Sequence, residues 1–439
     1  MTKPGPSAAS GREARRRAPL DSHAEWTAGG DGRDPVLLLE EHGRGLAQDL
    51  LPLRFGRMLG SGFTFFAGAG AVMAHDLATT PASGLRAQLC GDAHIDNFAW
   101  FLRPDGRVLF DIDHFDETLR GPWEWDVKRL VTSLEVAGRE RSLGDRQRTG
   151  LVRAAIDAYS DAIRDLASHE YMAIHTTEPE DDSPRVAPAA TAFRRAARLT
   201  ANRGKGFRLV SSPPSIERFG DVMDAQDSAA ATNELAADIG AFRRSLREDY
   251  RQVLDRFDIA DAARKVDDLS DTATRTLLVL LVSRDRGEPL LLEVKEAVAS
   301  VLAPYAGPSR NIHAGRRVVE GRRLIDAAGD VLLGWFSGRG WYGVTHAYHV
   351  RQSWPKFVAS PARIDVHALL PRARAAARTL ARAHARSGDR VAIATYIGRG
   401  DAFARAVAGF AAAYADQNEV DYQALAAAVE RGRIVARDS

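Results

Sequence analysis

Apolar residues recur at helical spacing along much of the chain, and that spacing predicts a helix over residues 35–51 and a glycine-interrupted apolar segment over 63–78 that ends in a helix. Val127, Leu130, Val131, Leu134 and Ala137 share one face of a predicted helix over 126–137, and the pattern repeats over 151–166. A further helix is predicted over 316–328, and Ala-rich helices over 373–385, 402–415 and 422–429. Between these lie short apolar runs bounded by turn residues, which read as strands. Residues 85–89 form one such run and lead into a polar stretch, Asp92 to Asn97; residues 108–112 form the next, after the Pro104-Asp105-Gly106 turn. The fully apolar run 277–282 and residues 290–294 flank Asp285-Arg286-Gly287-Glu288 as a predicted hairpin, and 331–336 is another strand. Exposed loops are expected over the acidic residues 176–188 and at Pro213-Pro214.

Composition narrows the classes. With 45% hydrophobic and 27% charged residues in 439, the chain has the make-up of a globular protein of two or three lobes. A net charge of +2 gives no basis for nucleic acid or an anionic membrane surface as partner, so any polyanion site is local. No run approaches the ~20 apolar residues of a membrane span. Residues 1–30 are expected to be a disordered basic tail without the apolar core of a signal peptide. Cys90 is the one cysteine, which rules out an intramolecular disulfide and fits a cytoplasmic location. Cationic residues are overwhelmingly Arg, so Lys295, inside an apolar strand, invites a chemical explanation.

The stretch Cys90-Gly91-Asp92-Ala93-His94-Ile95-Asp96-Asn97 carries the candidate chemistry. Phosphoryl transfer needs a carboxylate to orient the acceptor hydroxyl and oxygen ligands to hold Mg²⁺ on the phosphates. Kinases set that carboxylate and an amide ligand five positions apart, with a second carboxylate on the following hairpin. Asp92, Asn97 and Asp111 reproduce this order. The segment resembles the aminoglycoside-phosphotransferase branch of kinase-like enzymes, with Cys90 in place of the leading His. The wider chain resembles the bacterial domain-of-unknown-function family 2252, in residues 89–97, 110–118 and 121–130, in Glu293-Val294-Lys295-Glu296-Ala297, in Val318-Val319-Glu320-Gly321 and in Tyr414-Ala415-Asp416-Gln417.

The resemblance to kinases implies an α+β, two-lobed protein-kinase-like fold using ATP and Mg²⁺. Its small antiparallel sheet lobe falls at residues 261–355, between the two parts of a larger helical lobe at 31–260 and 356–439. The lobes are then circularly permuted, with residues 380–385 standing for the helix that leads into the catalytic loop. By the same resemblance Asp92 orients or deprotonates the acceptor, His94 belongs to the loop architecture, and Asn97 and Asp111 bind Mg²⁺, with Asp113 and Asp116 as further metal ligands. Asp126 supports the loop backbone, and Lys295 with Glu320 clamps the phosphates. Alternatives are a catalytically impaired nucleotide-binding or regulatory module and a nucleotidyl transferase on the same fold. Two departures from the family bear on activity. Glycines are missing from residues 265–275, where Asp267, Asp268 and Asp271 bring like charge, and Ala67 stands where relatives carry Arg. The acceptor, a small-molecule or protein hydroxyl, has no signature in the sequence.

Overall fold

The computed structural model describes residues 6–27, 33–103, 108–176, 207–211, 214–218, 238–266, 269–327, 329–339, 344–354, 356–357 and 366–437. The chain folds as a mixed α+β protein. Helices α1 (Pro6–Arg17), α2 (Pro35–Gly43), α3 (Leu51–Met58), α4 (Gly62–Gly68) and α5 (Gly70–Ala78) precede the strands β1 (Arg86–Leu89), β2 (Phe98–Leu102), β3 (Val108–Ile112) and β4 (Leu119–Pro122). There follow α6 (Trp123–Glu140), α7 (Asp145–Ser168) and α8 (Tyr171–Thr176), then the hairpin β5 (Phe207–Ser211) and β6 (Pro214–Arg218). The next stretch holds α9 (Glu248–Leu254), β7 (Phe257–Lys265), β8 (Thr276–Ser283), β9 (Pro289–Ala297), α10 (Ala303–Ala306), α11 (Ala314–Ile325), β10 (Gly334–Gly338) and β11 (His346–Gln352). The chain ends with β12 (Lys356–Phe357), α12 (Val366–Ser387), α13 (Arg390–Ile397) and α14 (Ala402–Glu430).

Five antiparallel strands form the largest sheet, in the order β10-β11-β9-β8-β7. The continuous apolar run of β8 follows from burial on both faces. Leu277, Val279 and Leu281 join Leu292, Val294, Phe336, Val350 and the Phe242 and Leu246 side chains on one side. Leu278 and Leu280 join Ile216, Ala263 and Leu291 on the other. The strand period of two then assigns the next residues of β9, Glu293 and Lys295, to the Leu291 face. Two smaller sheets, β12-β2-β3 and β1-β4, carry the polar loop of Asp92. Its surroundings are the main helical core, where Trp123 stacks on Tyr159 at 5.6 Å between ring centroids and Phe403 closes on the same indole at 5.4 Å.

The structure corrects several expectations. The basic N-terminal stretch is not a loose tail over residues 6–27: α1 packs on α13, Ala14 is buried, and Arg15 Nε donates to the Tyr396 carbonyl at 2.7 Å. One of the arginines that gave the segment its tail-like composition, Arg15, bonds the Thr395 and Tyr396 carbonyls near the end of α13, whereas Arg16 pairs with Glu13 at the surface. Residues 402–415 and 422–429 belong to one helix, α14, since the polar residues between them carry no helix breaker. The strand expected at 331–336 runs Gly334–Gly338, and β7 and β11 were not read at all, because neither is an uninterrupted apolar run. The Pro104 turn and the acidic loop from residue 177 lie outside the described residues, as does Pro213.

Candidate functional site

The polar loop is held by its backbone. Asp126, on the first turn of α6, accepts from the Cys90 N–H at 2.9 Å and the Gly91 N–H at 3.1 Å. His384 of α12 sits behind it, with Nε2 3.3 Å from Asp126 Oδ2 and Nδ1 2.8 Å from the Tyr159 hydroxyl. Gly91 has φ +83°, and a Cβ there would meet the Glu117 carbonyl oxygen at 2.3 Å, so the turn requires glycine. At the far end, Asn97 Nδ2 donates to the Asp92 carbonyl at 2.9 Å and the His114 carbonyl at 3.0 Å, while its Oδ1 accepts from the His114 N–H at 2.7 Å. The loop is thus fixed between α6 and the segment after β3, which leaves the Asp92 side chain to project with 28% exposure.

Asp92 is not a bare carboxylate. Arg129, one turn beyond Asp126 on α6, donates from Nε to Asp92 Oδ1 at 2.7 Å and closes on the same oxygen through Nη2. His94 Nε2 lies 3.5 Å from the other oxygen, Oδ2. Burial by itself would raise this carboxyl, but the Arg129 and His94 interactions outweigh it and hold Asp92 well below the usual carboxylate range. Arg129 Nη2 also reaches the Phe66 and Ala67 carbonyls at 3.4 and 3.3 Å, and Arg54 Nη2 donates to the Gly68 carbonyl at 2.8 Å. Two guanidinium groups from elsewhere in the chain therefore converge where Ala67 itself offers none.

The large sheet meets this loop through its polar face. Lys295 Nζ donates to Asp116 Oδ2 at 2.8 Å. Burial pushes the Asp116 carboxyl up, but Lys295, His349 and His114 bring it down to about 2. One register position along, Arg351 of β11 bridges Glu293 at 2.7 Å and Asp113 Oδ1 at 3.0 Å. Arg317 of α11 donates to the carbonyls of Asp116 (2.7 Å), Thr118 (2.7 Å) and Val298 (2.8 Å), which ties that helix to the same segment.

Asp92, His94, Asn97, Asp116, Asp126 and Lys295 are thus brought into one connected neighbourhood, and three expected members are not. Glu320 faces away from Lys295: it accepts from Arg316 at 2.6 Å and Asn311 at 2.9 Å and is partly exposed. The α11 position turned toward the loop is Arg317, three residues earlier on the helix. Asp113 is buried in its ion pair with Arg351. Asp111 accepts from the Ala327 N–H at 2.9 Å and faces Asp326 and Arg382, apart from Asn97. Among the described residues no group of three His, Cys, Asp or Glu side chains is placed to hold a metal ion. Arg129, Arg317 and Arg351 were missed by sequence reasoning. Arg129 carried a signal, its place one helical turn after Asp126, whereas Arg351 lies on a strand that the pattern does not announce.

Asp111 gives a pH signature. Burial, then the like charge of Asp326, pushes its carboxyl up to about 7 against the pull of Arg382. A carboxyl with a raised folded-state value contributes stability that is complete below its unfolded value of about 3.9 and is lost as pH climbs through the folded value. Asp111→Asn removes that loss, so urea unfolding shows the variant gaining about 2–4 kcal/mol on wild type between about pH 4 and pH 8. A difference that stays constant across that range refutes the buried proton.

The segment expected to carry like charge near the phosphates behaves otherwise where it is described. Asp271 is fully buried and accepts from Lys265 Nζ at 3.0 Å, so its charge is neutralised within the sheet. Ser270 Oγ lies 3.1 Å from His114 Nε2, which joins this segment to the loop after β3. Asp267 and Asp268 are outside the described residues.

A mixed α+β protein with a lysine-bearing antiparallel sheet set against a carboxylate loop is the class defined by fold and site. Residues 46–428 match the family of uncharacterized proteins conserved in bacteria, DUF2252, and the chain belongs to that family. No curated protein and no solved structure matches it. No helix among the described residues is long and apolar enough to cross a membrane.

Proposed function

We propose that the chain is a kinase-like phosphotransferase that uses ATP and Mg²⁺ to phosphorylate a small-molecule or protein hydroxyl, in a circularly permuted kinase-like arrangement and in the cytoplasm. One contact carries this reading: the 2.8 Å approach of Lys295 to Asp116, which joins the sheet to the loop of Asp92 across nearly 180 residues of chain. Lys295 lies on β9, the third strand of its sheet in chain order, followed by the short α10, the longer helix α11 and two more strands of the sheet. That is the setting in which kinases hold the phosphate-binding lysine. His384 on α12, hydrogen-bonded to the carboxylate that pins the loop, supports the equivalence of residues 380–385 to the helix that leads into a catalytic loop.

A polyphosphate fits the residues present. Lys295 supplies a buried ammonium, and Asp116 Oδ1 beside it is a buried oxygen without a hydrogen-bond partner. A magnesium ion held by Asn97, Asp111 and Asp113 together does not fit, since Asp111 faces Arg382 and Asp113 is ion-paired. Mg²⁺ is commonly bound by one or two carboxylates with substrate phosphates and water completing its shell, and Asp116, whose Oδ1 has no hydrogen-bond partner among the described residues, is the carboxylate that would hold it, with Asn97 as the candidate amide ligand. When bound, the ion would neutralise charge on the transferred group. Asp92, kept anionic by Arg129 and His94, orients the acceptor hydroxyl and takes up its hydrogen bond; its low proton affinity makes it an orienting group first and a base second. Arg129 fixes the direction of that carboxylate, and Asp126 fixes the loop that bears it.

The buried Lys265–Asp271 pair, where a glycine-rich phosphate loop would be expected, favours a second reading, a nucleotide-binding or regulatory module with impaired catalysis. Product analysis separates the readings. Incubated with ATP, Mg²⁺ and a panel of hydroxyl acceptors, the wild type releases ADP, and Asp92→Asn lowers the rate by about 10²–10⁴-fold. Pyrophosphate in place of ADP assigns AMP transfer. Tight ATP binding without either product assigns the regulatory module.

A further inference from the structure

The register of the large sheet sets His349 of β11 directly across from Lys295 of β9, so the two side chains stand on the same face, about 5 Å apart at their bases. His349 is 6% exposed, and its Nδ1 is buried with no hydrogen-bond partner. Asp116 Oδ1 is a second buried polar atom in the same condition, while Asp116 Oδ2 holds the Lys295 ammonium. The charges of Asp116 and Lys295 both act on the His349 ring, which sets all three groups together. A buried polar atom left without a partner is costly, and two of them flanking one ion pair mark a place that a ligand completes. Along the strands the neighbouring position is already filled, because Arg351 is committed to Glu293 and Asp113.

We infer that His349 is a nucleotide-contacting residue, its Nδ1 donating a hydrogen bond to an oxygen of the phosphate that Lys295 grips. The inference rests on the phosphotransferase reading and adds a residue to it. In the Nδ1–H tautomer the ring is a donor for an oxyanion, so an anionic ligand is matched by an ammonium and an imidazole from adjacent strands. Asp116 Oδ1 stays free to accept from a metal-bound water or to ligate the ion itself.

Isothermal titration of wild type, His349→Phe and His349→Gln with Mg²⁺ and β,γ-imido-ATP tests this, with the thermal stability of each ligand-free protein measured in parallel. The Phe variant binds about tenfold more weakly than wild type, the loss of one hydrogen bond to a charged group. The Gln variant, whose amide presents an N–H at similar reach, stays within about threefold of wild type. The ligand-free Phe variant is at least as stable as wild type, because carbon replaces a buried nitrogen that had no partner. Equal affinity in the Phe variant overturns the assignment, as does a Gln variant no better than Phe. So does a Phe variant whose ligand-free stability falls in step with its affinity, since that pattern marks a structural role. Absence of nucleotide binding by wild type removes the phosphotransferase reading and this assignment together, and thereby differs from a failure of His349 alone.

Discussion

On the phosphotransferase reading, Lys295→Met lowers phosphotransfer by about 10²–10³-fold while leaving a folded protein. The side chain brings an ammonium to the segment after β3, where it meets Asp116 at 2.8 Å. In that reading the ammonium is the charge set against the transferred group, and its removal is felt in the rate. Nucleotide affinity falls by about 10–100-fold, the value of a charge-assisted contact to phosphate. Stability falls by less, because Asp116 loses its cation but keeps a quarter of its side chain exposed to solvent. Steady-state rates and nucleotide titration on the variant check this. Unchanged rates with unchanged affinity would mean that Lys295 serves the Asp116 ion pair alone.

Asp126→Ala produces the largest loss of stability expected from one substitution at this site. Its carboxylate is 2% exposed and serves the Cys90 and Gly91 N–H groups, with His384 behind it. Deleting it leaves two buried amides and an imidazole without acceptors, at a cost of about 3–5 kcal/mol. Asp126→Asn, which keeps one acceptor oxygen, costs about half as much. Urea unfolding measures both, and amide hydrogen exchange at Cys90 and Gly91 shows whether the loop opens locally in the Asn variant. Rapid exchange at those two amides with the rest of the core protected is the expected pattern. Uniform loss of protection would place the role of Asp126 in the core rather than in the loop.

The parts of the fold that were legible in the sequence are those where one physical constraint dominates. A continuous apolar run such as residues 277–282 has few ways to be buried, and Val127, Leu130, Val131 and Leu134 mark a helix by spacing alone. Strand β11 was not legible because only one of its faces is apolar: Tyr348 and Val350 join the core, while His349 and Arg351 alternate with them on the face toward the loop after β3. Helix α1 was hidden for a different reason: an arginine-rich segment looks in sequence like a solvated tail, although Arg15 bonds the carbonyls near the end of α13.

At the site, Asp92 and Asn97 lie in one tight turn that Asp126 pins through the Cys90 and Gly91 N–H groups, and Lys295 reaches the segment after β3 from far along the chain; Glu320 and Asp111 did not translate in the same way. Glu320 was read from its resemblance to the helix glutamate that pairs with the kinase lysine, but its carboxylate is taken by Arg316 and Asn311, and the α11 side chain that reaches the segment after β3 is Arg317, one turn nearer the helix start. Asp111 was read from its place on the strand after the loop; its side chain instead turns toward Asp326, Arg382 and the Ala327 amide, which no local pattern foretells.

The site defined by Lys295, Asp116 and Asp92 is tested most directly by a crystal structure of the protein with Mg²⁺ and β,γ-imido-ATP. The expected density places the phosphates against Lys295 Nζ, with Asp116 at the ion and Asp92 facing the terminal phosphate. A nucleotide bound elsewhere, with Lys295 still closed on Asp116, contradicts the assignment.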